Sequence, residues 1–110
     1  MATPRRNFTE SEIEAVWKKA KIQANNNPDV FRKDYAGAWI RKSDYGKHTK
    51  YGWEVDHVKP LVKGGSNELD NLLPLHWRNN SKKGDNYPQW DTELTSEGIE
   101  NIEINKSWYI

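Results

Sequence analysis

The stretch that decides the fold is residues 53–85, with the sequence WEVDHVKPLVKGGSNELDNLLPLHWRNNSKKGD. Residues 53–58 alternate in side-chain type, which predicts a strand. Residues 72–75 are apolar and predict a second, short extended segment. Residues 77–83 contain neither Gly nor Pro, and Gly84 can end them as a helix C-cap. The predicted order is therefore strand, loop, strand and helix.

Two neighbouring residues of the first strand, Asp56 and His57, are suited to hydrolytic chemistry. Neighbours on a strand point to opposite faces, so one can bind a metal while the other faces a substrate. The Asp56 carboxylate is the kind of oxygen ligand that Mg²⁺ prefers, and the amide of Asn80 on the helix can supply another. Histidine exchanges protons near neutral pH, which makes His57 a candidate general base.

The net charge of +1 conceals an uneven distribution of charge. Residues 41–85 carry nine Lys or Arg and six Asp or Glu, whereas residues 86–110 carry one and five. The basic side chains near His57 are candidates for binding phosphates, and they are Lys59, Lys63, Arg78, Lys82 and Lys83.

The acidic C-terminal segment, residues 86–110, has two interpretations. The first is a solvated acidic tail. The second is a folded segment in which Trp90, Ile102, Ile104 and Trp108 belong to the core.

Composition limits the class of protein. A chain of 110 residues and 12.9 kDa has room for one core, and its six Trp and five Tyr supply much of the apolar surface. No apolar run approaches the roughly 20 residues of a membrane span, and the N-terminus lacks the apolar stretch of a signal peptide. We therefore expect a cytoplasmic protein that does not contact a membrane. The absence of cysteine excludes disulfides and cysteine-bound zinc.

An amphipathic helix is predicted near the N-terminus, over about residues 9–25. Thr9 and Glu12 have the spacing of a capping box, and Phe8 with Ile13 that of a hydrophobic staple. Residues 28–35 follow with one predicted helical turn, because Asn27 can cap and Pro28 suits the first helical position. A short strand is predicted over residues 38–41.

The segment 56–85 resembles the His-Asn-His (HNH) endonuclease family, whose members share a ββα-metal core. The resemblance is carried by Asp56-His57, Pro60-Leu61, Gly64-Gly65, Asn71-Leu72, Leu75, Asn80 and Lys83-Gly84-Asp85. It implies an α+β fold: one small domain over residues 1–110, with a motif core at 53–85. In that core a β-hairpin and a helix carry the active site, braced by the N-terminal helix.

The resemblance also implies a role for each matching residue. His57 matches the general base that activates water, and Asn71 matches the middle Asn that pins the loop between the strands. Asp56 and Asn80 match the two metal ligands. Asn79 also fits an Asn-x-x-Lys pattern and remains the alternative to Asn80.

Many relatives hold this motif with zinc on two Cys-x-x-Cys pairs, and His76 with Asn79 occupies the position of the second pair. We therefore expect no structural zinc, His76 as a packing or hydrogen-bonding residue, and a scaffold held by Trp17, Trp39, Trp53 and Trp77.

The function implied by the resemblance is divalent-metal-dependent hydrolysis of phosphodiester bonds in DNA, leaving a 5′-phosphate. The expected cofactor is Mg²⁺, Mn²⁺ or another divalent ion. The expected partner is DNA, contacted through its backbone with little sequence specificity, by a monomer or a homodimer. Two alternatives stay open: a non-catalytic nucleic-acid-binding module of the same fold, and a small structural or regulatory domain.

Overall fold

Two helices and three antiparallel strand pairs make up residues 7–109, the part of the chain that the computed structural model describes. The domain is α+β. In chain order its elements are α1 (Glu10–Trp17), β1 (Phe31–Lys33), β2 (Trp39–Arg41), β3 (Trp53–His57), β4 (Leu72–His76), α2 (Trp77–Lys83), β5 (Gln89–Glu97) and β6 (Glu100–Tyr109). No helix of residues 7–109 is long and apolar enough to cross a membrane.

Helix α1 begins as its sequence predicts and ends early. The Thr9 side chain accepts from the backbone N–H of Glu12, and the Glu12 carboxylate accepts from that of Thr9, which completes a capping box. The helix ends at Trp17 rather than near residue 25. Its end is set by a tertiary contact, because Lys21 leaves the helix to pair with Lys33.

The same contact explains a second difference. The predicted turn begins as expected, because the Asn27 side chain accepts from the N–H of Asp29 and residues 28–30 form a hydrogen-bonded turn. Residues 31–33 form strand β1 instead of continuing it, since Lys33 pairs with Trp39 of β2 on one side and Lys21 on the other. Pairing between distant segments therefore ends the turn. The strand predicted over residues 38–41 is present as β2.

The hydrophobic core lies between α1 and the pair β3–β4. The Trp17 and Trp53 rings are 5.3 Å apart at its centre and both are fully buried. The other buried members are Val16, Ala20, Ile40, Val55 and Leu72. Trp39 is also buried, whereas Trp77 is half-buried.

Strands β3 and β4 pair antiparallel, from Trp53 opposite His76 to His57 opposite Leu72. Helix α2 starts directly after β4, with no intervening loop. Gly84 ends it at φ 54°, a backbone conformation that favours glycine, and its N–H donates to the carbonyl of Asn80. The predicted order of strand, loop, strand and helix is therefore present.

The C-terminal segment is folded, so the prediction of a solvated tail is wrong. Strands β5 and β6 form a long hairpin in which Trp90 and Leu94 are buried, and α2 packs against β5. The alternative prediction holds only in part, because Ile102 and Ile104 are 36% and 44% exposed.

One buried carboxylate joins the β1–β2 turn to the start of α2. Asp34 is fully buried and accepts hydrogen bonds from the backbone N–H groups of Ala38 and His76 and from the amide of Asn79. Burial raises the pKa of Asp34 from its ordinary value of 3.8 to about 6, although these donors act in the opposite direction.

This shift predicts the pH dependence of an Asp34→Asn variant. A raised folded-state pKa means that the contribution of Asp34 to the free energy of unfolding is fully present below pH 3.8 and is lost as the pH rises through about 6. The free energy of unfolding of the wild type minus that of the variant should therefore fall by about 3 kcal/mol between pH 3.5 and 7, because each pKa unit is worth about 1.4 kcal/mol. Urea unfolding of both proteins across this pH range measures the difference. A difference that stays constant or rises with pH would contradict a raised pKa of Asp34.

Candidate active site

Strand β3 and helix α2 border a cleft of about 240 Å³. Asp56 and His57 reach it from the end of β3, and Asn80 reaches it from α2. Its other walls are the loop residues Pro60, Leu61 and Val62 and the residues after the helix, Gly84 and Asp85. Asp56 and His57, adjacent on β3, thus line one cavity with Asn80 from the helix.

The Lys83 side chain fixes the end of β3 to α2. It is fully buried, and its ammonium donates to the carbonyls of His57 and Val58, both at 3.1 Å. The same ammonium lies 3.3 Å from a carboxylate oxygen of Asp56 and 4.9 Å from the centre of the Trp90 ring. The prediction that Lys83 contacts phosphate is wrong for this arrangement, because the ammonium is enclosed by protein.

A second side-chain pair joins the same strand and helix. The Asn80 amide nitrogen donates to the Glu54 carboxylate at 2.9 Å. Glu54 and Asp56 are two residues apart on β3, and Asn80 and Lys83 are three apart on α2, so each pair shares one face of its element. The two contacts, Glu54 with Asn80 and Asp56 with Lys83, therefore set the register of the helix on the strand.

The neighbouring Asn79 points away from the cleft. It is fully buried, donates to Asp34 and to the carbonyl of Leu94, and accepts from the N–H groups of Glu93 and Leu94. Its amide is therefore committed to the scaffold. Of the two candidates for the third motif position, Asn80 is the one that lines the cleft.

His57 is held from the loop that precedes β4. Its Nε2 lies 2.8 Å from the Asn67 amide oxygen. The centre of the Phe8 ring lies 5.9 Å from the centre of the His57 ring. A carbonyl oxygen only accepts, so Nε2 carries a proton in this contact, and in the neutral form of the ring Nδ1 has the lone pair. A histidine in that tautomer can accept a proton at Nδ1.

Asn71 closes the loop between β3 and β4. Its amide oxygen accepts from the N–H of Lys59, and its amide nitrogen donates to the carbonyls of Lys59 and Ser66. Gly65 is needed in the same loop, because a Cβ there would collide with the Lys59 carbonyl. Asn71 thus positions the loop that carries Asn67.

The remaining basic residues predicted to bind phosphate differ in exposure. Lys59, Lys63 and Lys82 are exposed to solvent. Arg78 is partly exposed, and its guanidinium lies 3.3 Å from Glu93 and 3.8 Å from Glu103. Arg78 would have to give up these acidic partners to contact a phosphate.

The residues that could hold a divalent cation are Asp56 and Asn80. Both side chains line the same cleft, one with a carboxylate and one with an amide, and Mg²⁺ accepts such a small set of oxygen ligands because it keeps several waters. Residues 7–109 contain no cluster of three or more His, Asp or Glu arranged to bind a metal. The donors fit a cation held by two protein oxygens rather than one enclosed by protein.

His76 has both ring nitrogens in hydrogen bonds within the scaffold. Nδ1 accepts from the N–H of Arg78 and caps α2, and Nε2 donates to the carbonyl of Lys50 at 2.8 Å. Burial lowers the pKa of His76 below its ordinary value, which favours the neutral ring that can accept at one nitrogen. This is the geometry of a structural residue.

Residues 42–86, fewer than half of the 110 residues, match the family described as HNH endonuclease. This part of the chain is similar to an HNH domain. No curated protein and no solved structure matches the chain.

The HNH segment, residues 42–86, contains β3, β4, α2 and every side chain of the cleft. The match supports a nuclease or nucleic-acid-binding function, and the absence of cysteine makes this a variant without cysteine-bound zinc. Asp34, Trp90 and Leu94, which brace α2, lie outside the matched segment.

Two residues near the cleft, Glu54 and Asn67, are not marked by the sequence motif. The one signal for Glu54 is its separation of two from Asp56, which places both on the face of β3 that α2 covers. Asn67 lies in the loop before β4. No local signal marks it, because its contact with His57 depends on how the loop closes.

The buried Lys83 predicts a large difference between two adjacent lysines. Lys83→Met should lower the free energy of unfolding by about 3–5 kcal/mol, since it removes the ammonium partner of the buried Asp56 carboxylate. Lys82→Met, one residue earlier and exposed, should change it by less than about 0.5 kcal/mol. Urea unfolding of both variants tests this, and equal stability with equal loss of DNA affinity would mean that Lys83 is a surface lysine.

Proposed function

We propose that this protein is a divalent-metal-dependent endonuclease that hydrolyses phosphodiester bonds in DNA. The observation that carries the proposal is the convergence of Asp56, His57 and Asn80 on one cleft inside the HNH segment. In this account residues 1–110 form one HNH nuclease domain with a ββα-metal core at 53–85, and β3, β4 and α2 supply its two strands and its helix.

His57 is the proposed general base. With its Nε2 proton directed to Asn67, it takes the proton of an attacking water at Nδ1. The hydrogen bond to Asn67 keeps the ring in that tautomer and becomes stronger when the ring is charged. Asn71 acts on His57 indirectly, because it closes the loop that carries Asn67.

Asp56 and Asn80 are the proposed ligands of Mg²⁺, Mn²⁺ or another divalent ion. A cation bound there supplies stabilisation of the negative charge that develops on the phosphate and the leaving oxygen. The buried Lys83 ammonium, 3.3 Å from a carboxylate oxygen of Asp56, offsets part of its charge and positions the carboxylate before a cation binds.

The proposed contacts to the DNA backbone are Lys59, Lys63 and Lys82, with Arg78 in a lesser role because of its acidic partners. These side chains bind phosphates without reading bases. So small a set predicts weak, salt-sensitive and largely sequence-independent binding. Lys83 is not part of this set, because its side chain is buried.

One alternative function remains, a nucleic-acid-binding module of the same fold without turnover. Binding alone does not require a carboxylate, an imidazole and an amide at one cleft, which favours the enzyme. The two hypotheses differ in a single observable, cleavage of DNA that depends on a divalent ion.

A His57→Ala variant tests the enzyme directly. It should lower the rate of Mg²⁺-dependent or Mn²⁺-dependent plasmid nicking by at least about 100-fold, the usual contribution of a general base. DNA affinity, measured by fluorescence anisotropy, should stay within a factor of about two, because the proposed phosphate contacts are unchanged.

The wild-type protein in EDTA is the matched control and should not cleave. Unfolding curves should show that the variant is folded. Undiminished cleavage by folded His57→Ala would remove His57 from the mechanism, and wild-type protein that binds DNA without cleaving it would favour the binding module.

A further inference from the structure

We infer that Glu54 is a positioning residue that fixes which atom of the Asn80 amide faces the cleft. The inference rests on the proposed function, because it concerns a residue proposed as a metal ligand. It adds a residue that the sequence pattern did not single out, and a physical role for a hydrogen bond between strand and helix.

Glu54 stands behind Asn80 rather than in the cleft. It does not line the cavity, whereas Asn80 does, and one of its carboxylate oxygens accepts from the Asn80 amide nitrogen at 2.9 Å. A carboxylate only accepts hydrogen bonds, so the nitrogen of the amide must face Glu54. The amide oxygen is then turned away from Glu54 and is the atom left for a cation.

The other carboxylate oxygen of Glu54 faces His48, whose Nε2 lies 3.7 Å from it. The His48 ring stacks on Trp77 with centroids 4.5 Å apart and planes 14° apart. Trp77, at the start of α2, donates its indole N–H to the carbonyl of Thr49 at 2.7 Å. Glu54 is therefore held between the 48–49 loop and the helix and can act as a fixed acceptor.

The orientation of the amide matters because its two ends differ in their interaction with a cation. The oxygen is a metal ligand, whereas the NH₂ group has only donor hydrogens and repels a positive ion. Without Glu54 the Asn80 amide would be free to rotate between the two. Removing a partner that orients a metal ligand in this way typically lowers the metal affinity by about 10–100-fold.

Two variants separate orientation from charge. Glu54→Gln keeps a carbonyl oxygen within reach of the Asn80 nitrogen and loses the negative charge, whereas Glu54→Ala loses both. The first measurement is the pair of side-chain amide signals of Asn80 in ¹⁵N-labelled, metal-free protein. We expect them to stay near their wild-type positions in Glu54→Gln and to move toward the values of a solvated amide in Glu54→Ala.

The second measurement is Mn²⁺ affinity by titration calorimetry. We expect Glu54→Gln to stay within about threefold of wild type and Glu54→Ala to lose at least about tenfold. Glu97→Ala, which removes an exposed carboxylate at the end of β5, is the control for loss of charge and should resemble wild type.

Three results would overturn the inference. Equal losses of affinity in both Glu54 variants would mean that the charge of Glu54, or direct ligation by it, is what matters. Unmoved Asn80 signals in Glu54→Ala would mean that the amide is oriented by something else. Unfolding of Glu54→Ala would leave Glu54→Gln to decide, and shifted Asn80 signals in that folded variant would contradict the role. The amide signals are read without metal or DNA, so they stay informative even if the wild-type protein does not cleave.

Discussion

Lys83 reaches from α2 to the end of β3, where its ammonium is shared by the carbonyls of His57 and Val58 and the carboxylate of Asp56. Removing an ammonium from water costs several kcal/mol, and only a close set of oxygens offsets that cost. The helix can meet this requirement in one register alone. In that register Asn80, one turn earlier, lies beside Glu54 and at the cleft. The arrangement of the candidate site thus follows from burying one cation.

The corner between β4 and α2 is held by hydrogen bonds between protein groups. The sequence has no cysteine that could bind zinc there. His76 caps the helix and bonds to Lys50, while Asp34 accepts from His76 and Asn79. The amide oxygen of Asn79 in turn accepts hydrogen bonds from two backbone N–H groups of β5. These contacts are directional, and they fix α2 from the side opposite the cleft. The C-terminal hairpin is therefore part of the support of the site.

Much of the central motif could be predicted because it is local. The alternation in residues 53–58 and the breaker-free segment before Gly84 indicate β3 and α2 directly, and the resemblance to the HNH family implies that Asp56, His57 and Asn80 lie together. The failures at α1, β1 and Lys83 involve contacts between distant segments. Pairing of Lys21 with Lys33 shortened α1 and created β1, and the environment of Lys83 depends on which face of α2 meets β3. A lysine in a basic run has the same sequence signature whether it is solvated or buried.

The central claim is that Asp56 and Asn80 hold a divalent cation beside His57. A crystal of the wild-type protein grown with Mn²⁺ and measured for anomalous scattering tests it most directly. The account predicts a peak in the cleft at about 2.1–2.3 Å from a carboxylate oxygen of Asp56 and from the amide oxygen of Asn80. A peak bound through other side chains, or a cleft without one at Mn²⁺ concentrations that support cleavage, would contradict it.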